Sequence, residues 1–175
     1  MPFFPSLPED SGVMQIWKTF NPKAHEGLSI FSRSFMRTEG PLTPADKETI
    51  AAYVSDLNKS EYCFLGHSRA AIKLGTDEGV FKPLADDIET APVRDELKPM
   101  LRFVKKLTLT PHAMTQSDAD AVFNAGWDEK SLHDAIVVCA RFNMMNRLTL
   151  GHGLIRDEEQ ADKAALNMDY DRATS

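Results

Sequence analysis

Apolar residues recur along this chain three and four positions apart, and nowhere do they alternate with polar ones over the length of a strand. The clearest stripe is Ile50, Ala51, Val54 and Leu57, behind the start signal LTPADKE, in which Thr43 can cap and Pro44 occupies the first turn. Before it, Leu28, Phe31, Phe35 and Met36 place a helix over 24–37 that Gly40-Pro41 stops, and a shorter helix over 13–20 ends at Asn21-Pro22. After it, Asn58-Lys59-Ser60 breaks the pattern, and a new helix capped by Ser60 runs through Ala70, Ala71 and Ile72 to Gly75. Further helices are expected over 77–89 and 93–107, followed by a loop over 108–115 around Pro111 and a short helix from Ser117 that Gly126 ends. A long helix over 128–150 completes the set, with Leu132, Ala135, Ile136, Cys139, Phe142, Asn143, Asn146 and Leu150 on one side. The pattern predicts an all-α bundle forming a single domain over 1–175. Pro2, Pro5 and Pro8 make residues 1–12 an extended N-terminal arm. Residues 154–175 read as a polar C-terminal tail, its last positions mobile.

Composition narrows the function classes. With 175 residues, 42% of them hydrophobic and 26% charged, the chain is an ordinary globular one with a sizeable core. A net charge of −6 argues against a nucleic-acid surface. The densest basic group, Lys98, Arg102, Lys105 and Lys106, alternates with apolar residues and reads as the wet face of a helix. No stretch approaches the roughly 20 apolar residues of a membrane span, and the N-terminus lacks a signal-peptide pattern, so a cytoplasmic location is expected. Two cysteines, Cys63 and Cys139, are too few for a disulfide framework and are expected as thiols.

The chemistry concentrates between Asp56 and Gly75. Cys63 and His67 stand four apart, on one helix face about a turn from each other, where a thiol and an imidazole can share a proton. Cys63 also falls in the first turn, where free backbone N–H groups and the helix dipole favour a thiolate. Cys139, on an apolar helix side, reads as a small buried hydrophobe. Asn143 and Asn146, on the same side, are expected to fix contacts between helices or subunits. Tyr62 fits a core aromatic, and His133 a surface or cap-proximal histidine. One thiol, one histidine and a carboxylate on another helix make a poor metal site, and no haem, flavin or nicotinamide motif is visible, so no metal and no organic cofactor are expected.

The run EYCFLGHSRAA, preceded by LTPADKETIAAYVSDLN and followed by SLHDAIVVCARFNMMNRLTLGHGL, resembles the carboxymuconolactone decarboxylase and alkylhydroperoxidase D superfamily, and within it the peroxidase-related branch. The resemblance covers about residues 7–153. Members with peroxidase activity carry Cys-x-x-Cys, a histidine four residues after the second cysteine and a glutamate upstream. Cys63, His67 and Glu48 match the second cysteine, the histidine and the glutamate, while Ser60 replaces the first cysteine. Tyr62 stands where some relatives have a second histidine, and the SLHDAI run keeps His133 as a weak relay candidate. The resemblance implies an alkylhydroperoxidase D-like bundle and a homo-oligomer, trimer or hexamer, with Phe3, Phe4 and the long last helix as places for the interface. It also implies reduction of a small-molecule hydroperoxide by the single reactive thiol Cys63. Without a cysteine at position 60, the sulfenic acid would need an external thiol reductant, or Cys139 brought near by folding or by a neighbouring subunit. Two other readings stay open. One is decarboxylase-type acid–base chemistry by Glu48 and His67 on a small carboxylated lactone, against which only Arg69 lies near the motif; the other is a non-catalytic, redox-sensing oligomer.

Overall fold

The helix around which the others pack begins with a reciprocal cap. The backbone N–H of Asp46 donates to the Thr43 hydroxyl at 3.2 Å, and the Asp46 carboxylate accepts from the Thr43 N–H at 2.8 Å. In the computed structural model, which describes residues 2–167, this box opens α3 (Pro44–Leu57), following α1 (Val13–Phe20) and α2 (Pro22–Met36). Every residue of α3 from Asp46 to Ser55 is buried, the mark of a helix surrounded by others. Around it stand α4 (Glu61–Lys73), α5 (Phe81–Asp86), α6 (Leu97–Leu109) and α8 (Glu129–Gly151), with α2 also against it; α7 (Gln116–Asn124) closes the far side on α6 and α8. Among the described residues no strand occurs, so the architecture is the all-α bundle read from the sequence. Ile50, Val54, Met100, Leu101, Val104, Val138 and Phe142 share its main core.

A Schellman turn joins α3 to α4. The N–H of Ser60 reaches the Ser55 carbonyl at 2.8 Å and that of Lys59 the Asp56 carbonyl at 2.8 Å, with Lys59 in the left-handed region at φ 56°. Asn58 donates to Asn146 at 2.9 Å and to Asn143 at 3.1 Å, and Asn146 donates to Ser55 at 3.0 Å. The two asparagines thus tie α8 to the end of α3, the between-helix role expected of them.

Three elements differ from the sequence reading. The helix expected over 93–107 begins at Leu97, because a start at 93 would bury Pro99 in the helix interior, whereas from Leu97 it falls in the first turn, where its missing N–H has no partner to lose. The helix expected over 77–89 divides into a 3₁₀ turn at Glu78–Val80 and the short α5. The polar tail contains α9 (Glu158–Asn167), which packs on α4 through Ala161 and Ala165. The mobility expected of the last positions concerns residues 168–175, which lie outside those described. The N-terminal arm, expected to be extended, is instead bent by turns at Phe4–Leu7 and Pro8–Ser11 and folds back on its own chain: the Phe3 N–H bonds the His152 carbonyl at 2.9 Å and the Phe4 ring stacks on His152 at 4.6 Å. At Gly153, φ +65°, an added Cβ would lie 2.6 Å from the Phe3 ring, so the arm's seat requires glycine.

Candidate functional site

Two helices supply the three candidate residues. Glu48 sits in the second turn of α3, fully buried, and its Oε2 lies 2.5 Å from Nδ1 of His67 on α4. This bond holds the imidazole by one nitrogen and leaves Nε2 for other partners. The edge contact with the Phe142 ring, 4.3 Å between centroids, fixes the ring plane. Cys63 lies one turn earlier on α4, in its first turn as expected and 4% exposed. Cys63 and His67 border one cavity of about 560 Å³, which α1, α2, α4, α8 and the approach to α9 enclose. Burial pushes the His67 imidazole below its ordinary value; Glu48 opposes the shift, and the Arg141 and Arg156 guanidinium groups reinforce it. The result is a neutral imidazole, donating to Glu48 through Nδ1 and free to accept a proton at Nε2.

Ser60 behaves differently from the expected cap. It precedes α4 but makes no side-chain capping bond; its buried hydroxyl lies 3.0 Å from that of Thr149 on α8. Thr149 in turn stands 3.5 Å from the Cys63 sulfur and donates to the Asn146 carbonyl at 3.0 Å. A hydroxyl rotates about its C–O bond and both gives and takes hydrogen bonds, so Thr149 can turn its proton toward a sulfur that has become negative. The sequence reading missed Thr149, which lies 86 positions from Cys63 and meets it only because α8 runs beside α4.

Tyr62 is both a core ring and a latch. Its hydroxyl accepts from the N–H of Val13 at 3.1 Å, pinning the start of α1 over the cavity, and from Arg156 at 2.7 Å. The Arg156 guanidinium lies over the ring, 3.9 Å from its centroid. His133 is exposed near the start of α8, sixteen residues and so roughly 24 Å along the helix from Thr149. It is not brought to the cavity. Cys139 is equally separate: buried in the main core, it bonds the Thr108 hydroxyl at 3.3 Å, and burial pushes its thiol up. Ten residues, about 15 Å of helix, divide it from Thr149, so folding does not bring it to Cys63 of the same chain.

The expectation that only Arg69 lies near the motif is corrected. Arg69 turns away and bonds Glu78, Glu158 and Asp162, at 3.1, 2.9 and 3.3 Å. Four other arginines border the cavity: Arg33 from α2 and Arg37 just past its end, Arg141 from α8 and Arg156 from the α8–α9 connection. Arg141 donates through Nε to Ser32 on α2 at 2.9 Å and covers the Phe142 ring. These residues lie far from Cys63 in sequence, so no local pattern reveals them. Among the described residues no group of three or more His, Cys, Asp or Glu is placed to hold a metal ion, and no helix is long and apolar enough to cross a membrane.

No protein-family model and no curated protein matches the chain. Similar solved structures include an uncharacterized peroxidase-related protein from Silicibacter sp. TM1040, 25% identical with a TM-score of 0.77 over 85% of this chain and 78% of that one. Another, from Ralstonia eutropha JMP134, is described as an alkylhydroperoxidase AhpD core and uncharacterized peroxidase-related protein; it is 20% identical, with the same TM-score and coverage. The fold is therefore the alkylhydroperoxidase D-like bundle that the sequence resembles.

Proposed function

We propose that the chain is a one-thiol hydroperoxide reductase of alkylhydroperoxidase type. The observation that carries this reading is the Glu48–His67 bond at 2.5 Å, with Cys63 one helical turn from His67 on the same cavity. Glu48 orients the imidazole, and the free Nε2 takes the thiol proton directly or through a water. The thiolate attacks the distal peroxide oxygen, the O–O bond breaks, and His67 returns the proton to the departing alkoxide. Cys63 is left as a sulfenic acid beside Thr149 and Ser60. Because Ser60 cannot close a disulfide and Cys139 lies elsewhere in the same chain, an external thiol reductant completes the cycle. The assignment as a homo-oligomer, trimer or hexamer, in the reducing cytoplasm is part of the same reading. The exposure of Phe3, Ile30 and Phe31, apolar side chains suited to a subunit contact, supports only the oligomeric part of it. Loss of hydroperoxide turnover in Cys63→Ser is the expected result, and unchanged turnover would overturn the reading.

A second reading is favoured by one observation, the four arginines on the cavity. They suit acid–base chemistry by Glu48 and His67 on a small carboxylated lactone, with Cys63 a bystander. Under that reading Cys63→Ala keeps activity and His67→Ala loses it; the thiol reading requires both to lose it.

A further inference from the structure

The cavity carries more guanidinium groups than the thiol chemistry uses: Arg141 and Arg156 help to hold His67 neutral, whereas Arg33 has no part in it. Arg33, Arg37, Arg141 and Arg156 come from three separate segments and converge on one space, in a chain whose net charge is −6. Among the described residues no Asp or Glu borders that space, and Glu48 is bonded to His67 behind it. Each guanidinium has five N–H donors in a planar fork that matches a carboxylate. Arg156 directs two of its donors to Tyr62, and Arg33, at the exposed rim, has no hydrogen bond or ion pair among the described residues. Another part of the wall is apolar and adaptable, with Met14, Met36, Phe142 and Met145. About 560 Å³ falls within the range of roughly 300–1,000 Å³ typical of sites for small organic ligands.

From this division of the wall we infer that the cavity takes an amphiphilic organic hydroperoxide bearing a carboxylate, held by the guanidinium groups of Arg33 and Arg156 with its hydrocarbon part along the methionines. The inference rests on the peroxidase reading above and adds the substrate class. The reaction balances as R–OOH plus Cys63–SH giving R–OH plus Cys63–SOH: the sulfur loses two electrons, the O–O bond accepts them, and the thiol proton ends on the alcohol. Two equivalents of an external thiol then return Cys63–SH, with one disulfide and one water formed.

The test compares a long-chain hydroperoxy acid with its methyl ester as substrates of the full chain in the presence of dithiothreitol. Alongside, calorimetry measures binding of the corresponding hydroxy acid, which cannot react, and of its ester. The acid is expected to exceed the ester in kcat/KM by about tenfold or more, the effect of one charge-assisted contact. Calorimetry should show the same preference. Arg33→Gln, at an exposed position whose loss should leave the fold intact, should bring both ratios toward one; rescue of part of the preference by Arg33→Lys would separate charge from shape. Equal turnover of acid and ester overturns the anion site and leaves the peroxidase reading standing. Preferential binding of the acid without turnover of any hydroperoxide overturns the peroxidase reading and keeps the anion site.

Discussion

At the scale of single residues, Thr149 and Glu48 make distinct demands on the thiol chemistry. Thr149→Val keeps the side-chain shape but removes the hydroxyl 3.5 Å from the Cys63 sulfur. A hydrogen bond to a charged atom is worth about 1.5–3 kcal/mol, so sulfenic acid formation is expected to slow by at least tenfold, and the melting temperature to fall because the buried Ser60 hydroxyl loses its partner. Stopped-flow oxidation at one hydroperoxide concentration measures it. Glu48→Gln preserves size but weakens the hold on Nδ1, and a loss of about 10²–10⁴ in the same rate is expected of an impaired base. The placement of Cys63 and His67 on one cavity was legible in the sequence because four-residue spacing on a helix is a local rule, and Glu48 as a neighbour of His67 followed from the resemblance. Thr149 and the four arginines were not, since their nearness to Cys63 is created by helices packing side by side. Ser60 was half legible: its place before α4 was right, but the hydroxyl's choice of Thr149 over a backbone N–H is a tertiary effect.

Among the elements, the turn between α3 and α4 contains a correctable cost. Lys59 holds φ 56° at the position where glycine is preferred, and its side chain is exposed. Lys59→Gly is expected to raise stability by up to about 1 kcal/mol in urea unfolding, with the ion pair to Asp56, an exposed one, contributing little against it. Tyr62→Phe should have the opposite effect on α1. It removes the acceptor for the Val13 N–H and for Arg156, at 3.1 and 2.7 Å, so faster hydrogen exchange in α1, with α3 unchanged, is expected by mass spectrometry. The strongest sequence signals, the cap at Thr43 and the breaks at Asn21-Pro22 and Asn58-Lys59, gave boundaries that agree with the structure. The helix over 93–107 was placed too early because apolar periodicity outweighed Pro99. The tail was read as polar because the apolar side of α9 rests on two small residues, Ala161 and Ala165, which contribute little to a hydrophobic pattern.

For the molecule as a whole, the site sets a pH dependence of stability. His67 is held neutral in the fold, below its ordinary 6.5, so the unfolded chain binds the proton more readily. Its contribution is therefore fully present above pH 6.5 and is lost as pH falls through and below that value. Urea midpoints at pH 7.5 and 5.5 should differ, and the difference should shrink in His67→Gln, which leaves the other histidines to titrate as before. The all-α architecture was legible because the helical period is sustained across the chain. The enclosure of a charged cavity by a bundle of net charge −6 was not, since charge summed over a sequence says nothing of where one sign gathers.

The central claim is that Glu48 and His67 make Cys63 a peroxide-reactive thiol, and one measurement tests it most directly. Reduced protein receives about one equivalent of organic hydroperoxide, a sulfenic-acid probe traps the product, and mass spectrometry maps the label. Labelling at Cys63 and not at Cys139, strongly reduced in Glu48→Gln and in His67→Gln, is the expected result. Absence of label at Cys63, or equal labelling in the wild type and both variants, would contradict the account.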